Sequence, residues 1–189
     1  MCYNKRKLFI LPDYITLEGD KMVDANLLVT HDSGRAGSAK EEIEKALKAI
    51  KQKAKFLKSD IEGVFKLRVS NSKKLVKSLS KLKGKKGMFE HTFYWIPIEK
   101  WITTNVKVMQ KEVKKLQKGI KNTEKWKMDL HKRHFDMPST ELIMKLTEVI
   151  DKPKVDLDNP QKILEVQIMG KKAGLALLNK DEMLIIKHK

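Results

Sequence analysis

The sequence predicts an α+β protein built from two successive β/α blocks. Three observations predict it: apolar runs of strand length, helical periodicities of three and four between them, and glycine- or proline-bearing joins. The first block spans residues 25–99 and reads β-α-β-α-β. The second spans residues 100–189 and reads helix-strand-helix-strand-strand. Residues 1–24 lack a sustained period and read as an irregular arm, with a short strand at residues 8–11. A chain of 189 residues accommodates two such blocks sharing an interface.

The first block opens with the apolar run 25–31, which a turn cluster from Asp32 to Ser38 ends. Ile43, Leu47, Ile50, Ala54 and Leu57 then recur at helical spacing. Residues 63–69 read as a strand with Lys66 and Arg68 on one face. A helix over 73–82 turns Leu75, Val76, Leu79 and Leu82 inward and stops at Gly84 and Gly87. The aromatic and β-branched stretch 89–98 closes the block as a strand. The arrangement is that of a split βαβ unit.

In the second block, Val106, Met109, Val113, Leu116 and Ile120 give the clearest helix, with lysines opposite them. Along residues 125–133, Trp126, Met128 and Leu130 share one face of a strand, and Lys125, Lys127, His131 and Arg133 share the other. Ser139 or Thr140 can cap a helix carrying Leu142, Ile143, Leu146, Val149 and Ile150. Strands at 163–169 and 173–178 flank Gly170, Lys171 and Lys172.

Lysine and arginine outnumber acidic residues 41 to 24, a net charge of +17, and both blocks carry the excess. Such a surplus opposes compaction and fits a polyphosphate partner, whose condensed counterions are released on binding. An acidic protein partner, met by a scaffold, is the alternative. Most of the positive charge is lysine, which favours recognition of backbone and shape over base edges. The lone Cys2 excludes an intramolecular disulfide and any multi-cysteine metal site. No apolar run reaches the length of a membrane span, so no membrane partner is expected, and the location reads as cytoplasmic.

Candidate contacts to an anionic backbone follow from these placements. They are Lys125, Lys127, His131, Lys132 and Arg133 on the basic strand, and Lys171 and Lys172 in the last turn. Arg35 lies in the loop after the first strand, and Arg68 on the strand that follows. Lys73, Lys74 and Lys77 lie on the second helix, and Lys111, Lys114 and Lys118 on the third. The lysine helices read equally as solvated faces. The loop Gly34-Arg35-Ala36-Gly37 lacks a Walker ending and reads first as a capping turn. His131 and His134, with Asp129 and Asp136, do not converge as a metal site would require, because side chains alternate along a strand. No catalytic constellation, metal site or cofactor loop is identified.

The second block resembles the THUMP domain, an RNA-binding module of tRNA-modifying proteins. The resemblance rests on the lysine helix after Trp95-Ile96-Pro97-Ile98 and the strand ending His131-Lys132-Arg133. It continues through the helix over 140–150 and Val155-Asp156-Leu157-Asp158-Asn159-Pro160, and closes with Ala173-Gly174-Leu175-Ala176-Leu177-Leu178. The first block resembles the N-terminal ferredoxin-like domain that precedes THUMP. Together, over residues 25–189, they look like the stand-alone THUMP adaptors of tRNA cytidine acetylation. The resemblance implies a tRNA partner held at its acceptor stem and 3′ end, and a separate tRNA cytidine acetyltransferase that forms N4-acetylcytidine; an adaptor for a different RNA-modifying enzyme is the alternative within the same resemblance. It also places a basic strand residue at Arg133. With about ten residues after the final strand pair, the expectation is a chain that is not itself an enzyme.

Overall fold

The computed structural model describes residues 24–186; the strand expected at residues 8–11 lies outside them. Within this span two sheets stack face to face, each covered on its outer side by two helices.

The first sheet is β1 (Leu27–His31), β2 (Lys55–Leu57), β3 (Val64–Arg68), β4 (Thr92–Pro97) and β9 (Leu184–Ile185), in the order β2-β3-β1-β4-β9. Its neighbours all run antiparallel. Helix α1 (Ala36–Ala49) links β1 to β2 and α2 (Ser72–Ser80) links β3 to β4. Without β9, this is the ferredoxin-like βαββαβ arrangement. Strand β2 is missing from the sequence reading, which carries helix α1 through Ala54 and Leu57. The helix ends earlier, because Lys51 takes a left-handed φ of 53° and the chain then enters the sheet.

The second sheet is β5 (Lys100–Thr103), β6 (Trp126–Arg133), β7 (Lys162–Met169) and β8 (Lys172–Asn179), in the order β5-β8-β7-β6. Only β6 and β7 are parallel, from Trp126 beside Lys162 to Arg133 beside Met169. A parallel pair needs a crossover, which α4 (Ser139–Thr147) supplies; α3 (Val106–Leu116) precedes β6. Asn71 and Asn105 cap α2 and α3 through their side chains. The cap expected at Ser139 or Thr140 is instead the position of Pro138, and no side chain bonds there.

Alternation along the strands builds three apolar layers. Leu27, Val29, Leu67 and Trp95 meet Ile43, Leu47, Leu75 and Leu79 beneath α1 and α2. Leu164, Val166, Ile168 and Leu175 meet Met109, Val113, Leu142 and Leu146 beneath α3 and α4. Between the sheets, Leu28, Val64 and Ile96 pack on Ile163, Met169, Ala176 and Leu178. Gly174 allows close packing here, since a Cβ would lie 3.1 Å from Ile98 and from the Trp101 ring. Trp101 Nε1 in turn donates to Ala25 O at 2.7 Å.

Candidate nucleic-acid interface

The basic face of β6 turns toward the first sheet. Trp126 and Met128 point outward into the layer under α3 and α4, so Lys127, Asp129, His131 and Arg133 face inward. Toward the C-terminal end of β6 the sheets part, leaving a cleft of about 410 Å³. Arg133, His131 and Gln167 line one wall. His31, Ser33, Gly63, Tyr94 and Ile96 line the other, and Glu62 also borders it.

The rings at the cleft are ordered by contacts. His31 stacks on Phe65 with centroids 4.3 Å apart, and its Nδ1 lies 2.8 Å from Asp32 O, which assigns the proton to that nitrogen. Tyr94 and His131 face each other across the gap at 6.2 Å. Gly63 holds the β2–β3 turn at φ 71°, with His31 O 3.3 Å from where a Cβ would stand. Desolvation is the main cause lowering the His131 pKa. Asp129 opposes the shift, and Arg133 and Lys127 reinforce it. Much of the residue's surface nonetheless reaches solvent.

Arg133 is the unusual cation. It is partly buried, and its NH1 donates to Gln167 Oε1 at 3.3 Å. No carboxylate lies within ion-pair distance of it among the described residues, and burial lowers its pKa. The arrangement leaves a full charge at the cleft without a counterion.

The other candidate residues fall into distinct places. Lys171 and Lys172 are exposed where the β7–β8 turn enters β8; the turn is tied to the end of β6 by Gly170 N, which donates to Arg133 O at 3.0 Å, but the two lysines line a different cavity from the cleft. Lys172 also pairs with Asp24 at 3.0 Å, and Arg68 NH1 donates to Asp24 O. Arg35, after β1, sits 3.9 Å from Asp32. Lys132 donates to Phe135 O, and Lys127 pairs with Asp129 at 2.9 Å. Lys125 is at the far end of β6, where it binds Asp156 Oδ2 at 2.8 Å. Asp156 Oδ1 accepts from the backbone of Asp158 and Asn159, so the Val155–Pro160 segment is a turn pinned to the start of β6.

Lys73 and Lys77 on α2 are engaged by acids. Lys73 lies 2.6 Å from Glu99 and 3.6 Å from Glu182, and Lys77 lies 3.0 Å from Asp181. By contrast Lys74, Lys111, Lys114 and Lys118 are exposed, with no ion pair among the described residues. Helices α2 and α3 cover opposite outer faces, so their lysines do not join the cleft. Sequence reasoning missed His31, Tyr94 and Gln167, which come from strands with no basic pattern. Among the described residues no three histidine, cysteine or carboxylate groups converge where a metal could sit. No helix of the described residues is long and apolar enough to cross a membrane.

No protein-family model matches the chain, and no curated protein matches it. Solved structures do. PH1313 from Pyrococcus horikoshii Ot3 aligns with a TM-score of 0.58 at 17% identity, over 80% of this chain and 53% of that one. TrmN from Thermus thermophilus aligns at 0.52 and 12%, over 80% and 44%. A 4-thiouridine synthetase, solved as an RNA complex with bound ATP, aligns at 0.50 and 11%, over 86% and 42%. The chain thus spans about half of each of these, or less. The expectation of a chain that is not an enzyme is corrected here, because the fold also occurs within a synthetase. At these identities the likeness speaks for the fold, and the fold is THUMP-like.

Proposed function

We propose that this protein binds tRNA in the service of tRNA modification, with Arg133 as its anchor on the RNA backbone. The observation that carries the reading is the partly buried guanidinium at the cleft, which lacks a carboxylate partner. A cation held in low dielectric without a counterion is costly in the free protein and is satisfied by an incoming phosphate. The exposed Lys171 and Lys172, which follow the strand partner of Arg133 by two and three residues, and the ring of Tyr94 at the cleft suit a strand of RNA that presents both phosphates and base faces. The likeness to a synthetase solved with RNA supports the same reading.

The finer part of the proposal follows the sequence resemblance. The protein grips the acceptor stem and 3′ end and delivers tRNA to a separate cytidine acetyltransferase that forms N4-acetylcytidine in the cytoplasm. The blocks 25–99 and 100–189 act as two units, the second lending β9 to the sheet of the first, with the cleft between the two sheets.

Binding of full tRNA, compared with tRNA lacking its 3′ end, tests the first part. The expected result is tight binding of the former and a clear loss with the latter. Equal, salt-insensitive binding of both would overturn it. For the second part, N4-acetylcytidine is measured in tRNA from cells with and without the protein; unchanged levels would remove the acetylation assignment.

A further inference from the structure

Glu165 is the least expected side chain of the second sheet. It stands in β7, facing the first sheet, with 0% of its surface exposed. Its neighbours are Asp129 on β6 and Ala176 on β8. Its Oε1 accepts from Gln167 Nε2 at 2.6 Å, and its Oε2 has no hydrogen-bond partner. Burial pushes its carboxyl up to about 8, with Asp129 adding to the rise while Gln167 and Lys127 oppose it. An apolar residue would fill this strand position at lower cost, so the carboxyl calls for a reason beyond packing.

Gln167 provides the reason. It is 1% exposed and bonds Glu165 with one end of its carboxamide and Arg133 with the other. A reversed carboxamide would set donor against donor at the guanidinium. With its amide nitrogen held by Glu165, the carbonyl end must face Arg133. We propose, resting on the reading of Arg133 as RNA anchor, that Glu165 is a positioning residue that fixes Gln167 and, through it, the direction of the Arg133 guanidinium. An interposed amide orients the guanidinium while leaving its charge for phosphate. A carboxylate in direct contact would neutralise it.

The test measures affinity for an unmodified tRNA transcript, alongside thermal unfolding, for Glu165→Gln, Glu165→Leu, Arg133→Ala and the double variant Glu165→Leu/Arg133→Ala. Glu165→Gln keeps an acceptor for Gln167 and retains affinity. Glu165→Leu removes the acceptor and weakens binding roughly threefold to tenfold without loss of folding. In the Arg133→Ala background the leucine adds nothing, since its effect passes through Arg133. An equal loss in both backgrounds, no loss from the leucine, or an equal loss from the glutamine overturns the positioning role. If Glu165→Leu does not fold, Gln167→Leu carries the same cycle with the same outcomes. Arg133→Ala binding like the parent protein would overturn the RNA-anchor reading itself, a result distinct from all of these.

Discussion

Lys73 Nζ lies 2.6 Å from Glu99 Oε1, which ties the first turn of α2 to the short link between β4 and β5. The same ammonium donates to Leu177 O of β8 at 2.8 Å and reaches Glu182 at 3.6 Å. One lysine thus bonds groups from both blocks of the chain, and α2 serves as a clasp across the two sheets.

Lys73→Ala is therefore expected to cost stability, by roughly 1 kcal/mol given its partial exposure, and to leave tRNA affinity nearly unchanged. Denaturant unfolding together with a binding isotherm checks both halves. A binding loss with intact stability would return this lysine to the RNA contacts.

Arg133→Ala is expected to do the reverse. Binding weakens about tenfold or more, as for loss of a charge-assisted contact, while thermal unfolding is nearly unchanged because the guanidinium is only partly buried and lacks a carboxylate partner. Arg133→Lys restores the charge but not the fork and recovers only part of the affinity. Side-by-side melting curves and titrations decide the matter.

Salt dependence separates the anchor from the diffuse charge. If about six phosphates are neutralised, log K falls against log salt with a slope of roughly −4 to −5. Replacing Lys111, Lys114 and Lys118 together by alanine, with no acid partners to strand, makes the slope shallower by up to about 3 if that face touches RNA. An unchanged slope assigns the α3 lysines to solvation.

Glu165 predicts a pH trend in stability. Its carboxyl ionises near 4.5 in the unfolded chain and at about 8 in the fold. Between these values the folded state holds the extra proton, so stability is full below the lower value and declines as pH rises toward 8. Glu112 works in the opposite sense: Lys100, and to a lesser degree Lys115, lower its pKa, so its contribution is lost only in acid. Denaturant unfolding at pH 5, 7 and 9 should show the decline in the parent and a flatter profile in Glu165→Gln.

Gly174→Val is expected to destabilise by about 2 kcal/mol or more, because Ile98 and the anchored Trp101 ring leave no room for a side chain. Calorimetric melting reads it directly.

Much of the fold was legible because alternation and helical period map onto burial. The split of β6 into Trp126, Met128 and Leu130 against Lys127, His131 and Arg133 is an instance. Strand β2 was hidden because Ala54 and Leu57 continue the spacing of Ile43, Leu47 and Ile50, and only backbone geometry at Lys51 breaks it. Two-residue β9 carries too little pattern to find. Alternation reveals that Arg133 shares a face with His131, but not that Gln167, Tyr94 and His31 adjoin it, since that depends on how the strands pair and how the sheets stack. The lysine run on α2 gave no hint that two of its members meet acids more than twenty residues away.

Strand β9 has a consequence for solubility. Leu184 and Ile185 occupy the open side of β4, pairing with Trp95 and Tyr94, and Lys83 Nζ secures the segment at Ile185 O. Removing those two residues would bare a row of unpaired backbone amides and carbonyls beside an aromatic strand. Another chain could add its own strand there, so this small strand guards the protein against self-association.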